Sequence, residues 1–179
     1  MKKGSRPSLT TLGEEAEAWA TRRGLGLEYN GLVMLNPISP GDLEGIRALD
    51  CFPRISSIHG PFFDLMPASA DPEVRDLALR RLVNALKASL GLGLGRVVFH
   101  TGWMAKTYID SAWLANSLAF WRELGERVPG SWEVFLENVY EEDPHLLIEL
   151  LDSLGDSRIG ACLDIGHVNA SSPLSPQAW

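Results

Sequence analysis

Four short apolar runs in this 179-residue chain each end on a side chain that can bind a metal ion or move a proton. The run Arg54-Ile55-Ser56-Ser57-Ile58 ends in His59-Gly60-Pro61, and Val97-Val98-Phe99 ends in His100. The run from Trp132 to Leu136 ends in Glu137-Asn138, and that from Ile159 to Leu163 ends in Asp164, with His167 three residues on. Imidazole nitrogens and carboxylate oxygens are the ligand mix of zinc and related divalent ions. Two carboxylates desolvated at one spot are costly unless a cation lies between them. Each residue alone has an ordinary explanation. A histidine at a strand end is commonly a loop or capping residue, Glu137 could pair with an arginine, and Asp164 could cap the next turn. These explanations must be invoked four times, always at the same end of a run, and the set together points to a metal or catalytic site.

Something must bring those ends together. Between the apolar runs lie helical patterns. Asp71-Pro72-Glu73 opens one, since Asp caps and Pro fits the first turn; Val74, Leu77, Ala78, Leu82, Ala85, Leu86 and Leu90 form its apolar face, and Gly91 is its expected terminator. Asp143-Pro144 opens another, with Leu146, Leu147, Leu150, Leu151 and Leu154 as its stripe and Gly155 as its end. Further helices are expected from about Asp110 through Leu124 and from Glu14 to Arg23, with earlier strands at Leu25 to Tyr29 and near Ser8 to Leu12. About six strands alternating with helices predict a parallel α/β sheet or barrel. In such folds the carboxyl ends of the strands share one face, and that face carries the site.

Other candidates have plainer readings. His145 falls in the first turn of a helix and reads as surface. Trp103 and Tyr108 follow His100 in a loop, where they either wall a substrate pocket or pack on a helix; Phe62 poses the same choice. Gly91-Leu92-Gly93-Leu94-Gly95 looks like a phosphate loop but precedes a strand, so it reads as a helix-to-strand turn.

Composition narrows the partners. With 45% hydrophobic residues the chain can build one sizeable core. A formal charge of −7 is mild evidence against a nucleic-acid partner and favours a small-molecule substrate. Cys51 and Cys162 lie in apolar runs without CxxC spacing and are expected to be reduced core thiols of a cytoplasmic protein. Met1-Lys2-Lys3 is followed by no apolar segment of secretory type, and no run approaches the ~20 residues that span a bilayer.

With these residues in view, the chain resembles the xylose isomerase-like barrel superfamily, in particular its sugar phosphate isomerase/epimerase group. The similarity runs from about Leu25 to the C-terminus, on His59-Gly60-Pro61-Phe62, His100, Glu137-Asn138 and Cys162-Leu163-Asp164-Ile165-Gly166-His167. The superfamily also holds endonuclease IV, which typically has His-Pro-Gly after its fourth strand and Glu-Asn-Thr after its fifth. Here the corresponding segments read His100-Thr101-Gly102-Trp103 and Glu137-Asn138-Val139-Tyr140. The resemblance implies a (β/α)8 barrel and a divalent metal ion, whether zinc, manganese or magnesium. It implies Glu137 and Asp164 as metal ligands, and His59 and His100 as ligands of a second metal or contacts to substrate. His167 would touch substrate or serve as an accessory ligand, and Asn138, Phe62 and Trp103 would line the substrate site. Glu137 matches one of two glutamates that, in the isomerases and epimerases, move a proton at the carbon next to a metal-bound carbonyl.

By the same resemblance, residues 1–179 are expected to be one barrel domain lacking its C-terminal part, because such barrels need ~250 residues. The family's histidine on strand seven and its second glutamate on strand eight have no counterpart here. The function expected is a metal-dependent sugar or sugar-phosphate isomerase or epimerase, with an abasic-site nuclease and a non-catalytic barrel remnant as alternatives. A sheet of six strands from an eight-strand design leaves two edges that invite association. Residues 1–179 expressed alone are therefore expected to self-associate and to hold metal weakly, as read by light scattering and calorimetry. A monodisperse monomer that binds metal tightly contradicts this expectation.

Overall fold

The computed structural model of the chain describes residues 8–10, 13–34 and 37–179. Six strands, β1 (Ser8–Thr10), β2 (Gly26–Tyr29), β3 (Ile55–His59), β4 (Arg96–His100), β5 (Glu133–Glu137) and β6 (Ile159–Cys162), are all parallel. They pair in chain order, β1-β2-β3-β4-β5-β6. Helices α1 (Glu14–Arg22), α2 (Pro40–Arg47), α3 (Pro72–Gly91), α4 (Asp110–Arg127) and α5 (His145–Leu154) connect them, and α6 (Ile165–Ser171) follows β6. A doubly wound sheet reverses its strand order at a switch point, whereas a βα barrel keeps neighbours sequential. The order here is the barrel order. Because the pairing is linear, β1 and β6 are the edge strands of the described sheet. The expected strand near Ser8 to Leu12 is β1 as far as Thr10; Thr11 and Leu12 lie outside the described residues.

Side chains alternate across a strand, and parallel partners in register share a face. Leu27, Ile58, Val97, Phe99, Val134, Leu136 and Ile159 therefore point one way, and all are buried in the core. Against them pack Leu82 and Leu86 of α3, Trp113, Trp121 and Leu124 of α4, and Leu147 and Leu150 of α5. The opposite face carries Glu28, Ser57, His59, Val98, His100, Phe135, Glu137 and Cys162. One face is thus apolar and helix-covered, and the other gathers nearly all the chemistry at the strands' carboxyl ends.

A bulge decides which face His59 takes. Leu27 pairs with Ile55 but Glu28 pairs with Ser57, so Ser56 is an extra residue in β3. Its hydroxyl donates to the Leu27 carbonyl at 3.1 Å. Without it, strict alternation from outward-facing Ile55 would send His59 into the helix layer. Bulges recur next to active sites because they re-aim a side chain.

Local signals explain the helix ends. The Asp71 carboxylate accepts from the Glu73 N–H at 2.8 Å, as the Asp-Pro-Glu pattern predicts. Gly155 closes α5 in the left-handed conformation at φ 61°. α3 ends on Gly91, as expected, and the glycines that take positive φ are Gly93 and Gly95 in the turn to β4. Two helices were not anticipated. In α2 the Ser39 hydroxyl accepts from the Asp42 N–H while Asp42 accepts from the Ser39 N–H, a capping box carried by Ser-Pro-Gly-Asp. The other, α6, begins at Ile165 directly after Asp164, which caps it.

Gly60 shows how closely fold and site are joined. Its N–H donates to the Val98 carbonyl at 2.8 Å, and a Cβ on it would overlap the Phe99 ring. Backbone and aromatic ring approach too closely for any side chain. Gly60→Ala is expected to cost about 1–3 kcal/mol through overpacking, measured by urea unfolding. A change under about 0.5 kcal/mol would show that Phe99 moves aside freely.

Candidate metal centre

The site sits where β3, β4, β5 and β6 end. Glu137 is its middle: its Oε2 lies 3.1 Å from His59 Nε2 and 3.3 Å from His100 Nε2. Glu137 and His59 are 5% and 7% exposed, so the three groups meet largely away from water. The His59 and His100 rings stand nearly perpendicular, 5.1 Å apart. Phe62 stacks on His100 at 4.2 Å and meets His59 edge-on at 5.3 Å, forming an apolar wall on one side.

The tautomer of His59 follows from its neighbours. Its Nδ1 lies 2.9 Å from the Gly60 carbonyl, which can only accept, so Nδ1 carries a proton. In the neutral ring Nε2 then presents a lone pair to a carboxylate. Two acceptors 3.1 Å apart need a cation between them, either a proton on the ring or a metal ion. A backbone carbonyl holding the far nitrogen is also how metal-binding histidines are commonly oriented.

The electrostatics show the same coupling. Burial by itself pushes the Glu137 carboxyl up, but hydrogen bonds from His100 and His59 outweigh it and hold the group at about 2. Burial by itself pulls His59 down, yet Glu137, the Gly60 carbonyl and the more distant Glu28 carry it above its usual value. The Cys162 thiol, in register with Glu137 on β6, is pushed up to about 12 by burial and then by Glu137, Glu28 and Asp164. Cys51 and Cys162 are both free thiols, as expected. Cys51 packs in the core with Glu17 and Arg54 near its thiol, whereas Cys162 faces the acidic side of the site.

A second group shares the central carboxylate. Donor atoms of Glu137, Asp164 and His167 lie within 4.8 Å of one another, as do those of His59, His100 and Glu137. Asp164 also caps α6, its Oδ1 accepting from the His167 N–H at 2.8 Å, so the cap fixes His167 beside it. Two nitrogen or oxygen donors each about 2.0–2.1 Å from zinc at a tetrahedral angle are ~3.3 Å apart. The spacings around Glu137 match, and the mixed imidazole and carboxylate donors suit a divalent ion.

The remaining candidates divide. Asn138 is buried, and its amide joins β5 to β6: Nδ2 donates to the Asp164 carbonyl at 3.1 Å, and Oδ1 accepts from the Asp164 N–H at 2.8 Å. This orients Asp164 and commits one donor and one acceptor of an amide expected at the substrate. Trp103 belongs to the core, edge-on to Trp113 at 5.5 Å and stacked near Tyr108, so of its two readings the helix-packing one describes it. His145 is exposed beside Asp143, as a surface residue. The buried polar residues that were not singled out include Glu28, Thr101 and Glu141. Glu28 lies inside β2, one residue before its end at Tyr29, so the strand-end rule that found Glu137 passes it over. Thr101 and Glu141 lie in loops and carry no such signal.

Residues 29–176 match the family described as xylose isomerase-like TIM barrel. Among curated relatives, an uncharacterized protein of Methanocaldococcus jannaschii is 28% identical over 144 residues, 75% of this chain and 49% of its own length. A Mycobacterium leprae protein named "Probable endonuclease 4" is 28% identical over 120 residues, 64% of this chain and 46% of its own. The chain thus spans about half the length of the curated relatives it matches. A Thermus thermophilus protein whose crystals were soaked with zinc chloride is 28% identical, covering 96% of this chain and 70% of its own, with a TM-score of 0.63. A D-tagatose 3-epimerase-like protein (21% identical, 93% and 68% covered, TM-score 0.72) and endonuclease IV of T. thermophilus (22%, 93% and 65%, TM-score 0.58) share the fold.

Metal ligands must shed their protons, so protons compete with metal for His59. Because Glu137 raises the His59 pKa, competition begins above the ordinary 6.5 rather than at it. Zinc affinity, measured against a chromophoric chelator, is expected to fall about tenfold per pH unit below that raised value. Affinity that stays flat from pH 8 to 5.5 would remove His59 from the ligand set.

Proposed function

This chain belongs to the xylose isomerase-like TIM barrel family, and within it we propose a metal-dependent isomerase or epimerase of a sugar or sugar phosphate. The observation that favours this reading over nuclease chemistry is the charge around the site. The loops that follow β3, β4, β5 and β6 span residues 60–71, 101–109, 138–144 and 163–164. They carry Asp64, Asp71, Glu141, Glu142, Asp143 and Asp164 against a single basic residue, Lys106. A face that grips duplex DNA neutralises phosphates with several Lys or Arg. A small neutral or singly phosphorylated sugar needs no such stripe.

In this reading the two donor groups that share Glu137, one with His59 and His100 and the other with Asp164 and His167, hold a divalent ion or a pair of them, zinc, manganese or magnesium. Such an ion polarises a carbonyl and stabilises enediolate-like charge. The chain's own residues do the rest. Glu137 is ionised across the neutral range, so it can accept a proton from the carbon next to the carbonyl. Phe62 closes one wall and excludes water beside the imidazoles. Asn138 keeps Asp164 aimed at the same point.

A second reading, an abasic-site nuclease, is supported by the mycobacterial relatives named as endonuclease 4. The test runs both in parallel. The purified protein with Mn2+ or Zn2+ is incubated in D2O with a panel of ketoses and ketose phosphates, and with an abasic duplex. The expected result is deuterium at the carbon next to the carbonyl, lost at least about 100-fold in Glu137→Gln. Metal-dependent incision of the duplex without exchange would transfer the assignment to the nuclease.

A further inference from the structure

Glu141 is a buried carboxylate that takes no place in the donor groups above. It is 3% exposed, in the loop after β5, and among the described residues no Lys, Arg or His forms an ion pair with it. Burying such a group is costly unless its oxygens are satisfied. They are. Oε2 accepts from the Val139 N–H at 2.6 Å and the Tyr140 N–H at 3.1 Å, and Oε1 accepts from the Thr101 hydroxyl. Thr101 is fully buried; its Oγ1 accepts from the Trp103 N–H at 3.2 Å, and its N–H donates to the Glu137 carbonyl at 3.3 Å.

The positions matter more than the count. Thr101 directly follows His100, and Glu141 lies four residues after Glu137. The carboxylate therefore ties together the two loops whose strands end in those donors. The same loop is pinned to α6, since the Ser171 hydroxyl donates to the Val139 carbonyl at 2.9 Å and that of Ser172 to the Glu142 carbonyl. α6 carries His167. One short segment, residues 139–142, thus anchors the ends of β4 and β5 and the helix that follows β6.

We propose that Glu141 and Thr101 form a buried clamp that positions His100 against Glu137, a role that rests on the metal-site reading above. The clamp sets the distance between donors from two different strands, which neither strand fixes alone. Small errors in that distance weaken a metal site, and partners that orient ligands commonly contribute about 10–100-fold to affinity.

The test uses the full chain and Thr101→Val, Thr101→Ser, Glu141→Gln and Glu141→Ala. Each is first shown folded at 20 °C by circular dichroism. Zn2+ affinity is measured there by chelator competition, and the Co2+-loaded protein gives a visible spectrum that reports donor geometry. Thr101→Val and Glu141→Ala are expected to bind Zn2+ about 10–100-fold more weakly with an altered Co2+ spectrum. Thr101→Ser, which keeps the hydroxyl, restores both. Glu141→Gln keeps one acceptor and falls between. A clamp that served stability alone would lower the melting temperature and leave affinity and spectrum at parent values in folded protein; that outcome overturns the proposal. If the parent binds no metal, the functional reading fails separately. The clamp is then decided by long-range 1H–15N spectra of the metal-free protein. A His100 Nε2 resonance that moves in Thr101→Val and returns in Thr101→Ser supports it, and one that stays put in both overturns it.

Discussion

The contact between one buried carboxylate and two imidazoles, Glu137 with His59 and His100, organises this end of the molecule. Each partner comes from a different strand, so the contact exists only when β3, β4 and β5 lie side by side in register. Away from water such a cluster is tolerated only while its charges are balanced. The imidazoles keep Glu137 ionised, and Glu137 in turn favours a positive charge at His59. The same balance that holds the cluster together is what the proposed divalent ion would require. A metal needs an ionised carboxylate and a preset ring orientation, and the Gly60 carbonyl sets that orientation for His59.

Division of labour between the two sheet faces makes this possible. The helix-covered face holds Leu27, Ile58, Val97, Phe99, Val134 and Leu136, and supplies the burial that holds the sheet together. That leaves the other face free to carry Glu28, His59, His100, Glu137 and Cys162 without loss of core. The Ser56 bulge is the local adjustment that lets β3 serve both. Gly60 adds a second adjustment, allowing the backbone to pass against Phe99 and present its carbonyl to His59.

The fold itself is shared by proteins named for epimerases and for endonuclease IV. What differs between such reactions is the surface that meets the substrate. In the reading proposed above, the acidic strand-end loops and the Phe62 wall are what favour a compact polyol over a polyanion. In barrels the strand ends usually carry the chemistry and the loops the selectivity.

By itself the sequence determined the alternation of strands and helices, the apolar runs, and the residues that terminate them. Those signals are local: periodicity, an Asp-Pro-Glu cap, a glycine after a leucine stripe. His59, His100, Glu137 and Asp164 were legible because each follows its run directly, and His167 lies three residues after Asp164. The box at Ser39-Asp42 and the cap at Asp164 were equally local but weaker, since α2 and α6 are short. Other features depended on packing across strands. A one-residue bulge depends on the partner's register, so the orientation of His59 was invisible along the chain. Trp103 read equally well as pocket or core until α4 placed Trp113 beside it. Thr101 and Glu141 are forty residues apart in loops without periodicity, and only tertiary contact joins them. The physical reason is one of range. Backbone preference and hydrophobic period act over a few residues, whereas the distance between two donors is set by strands that the chain brings together from far apart.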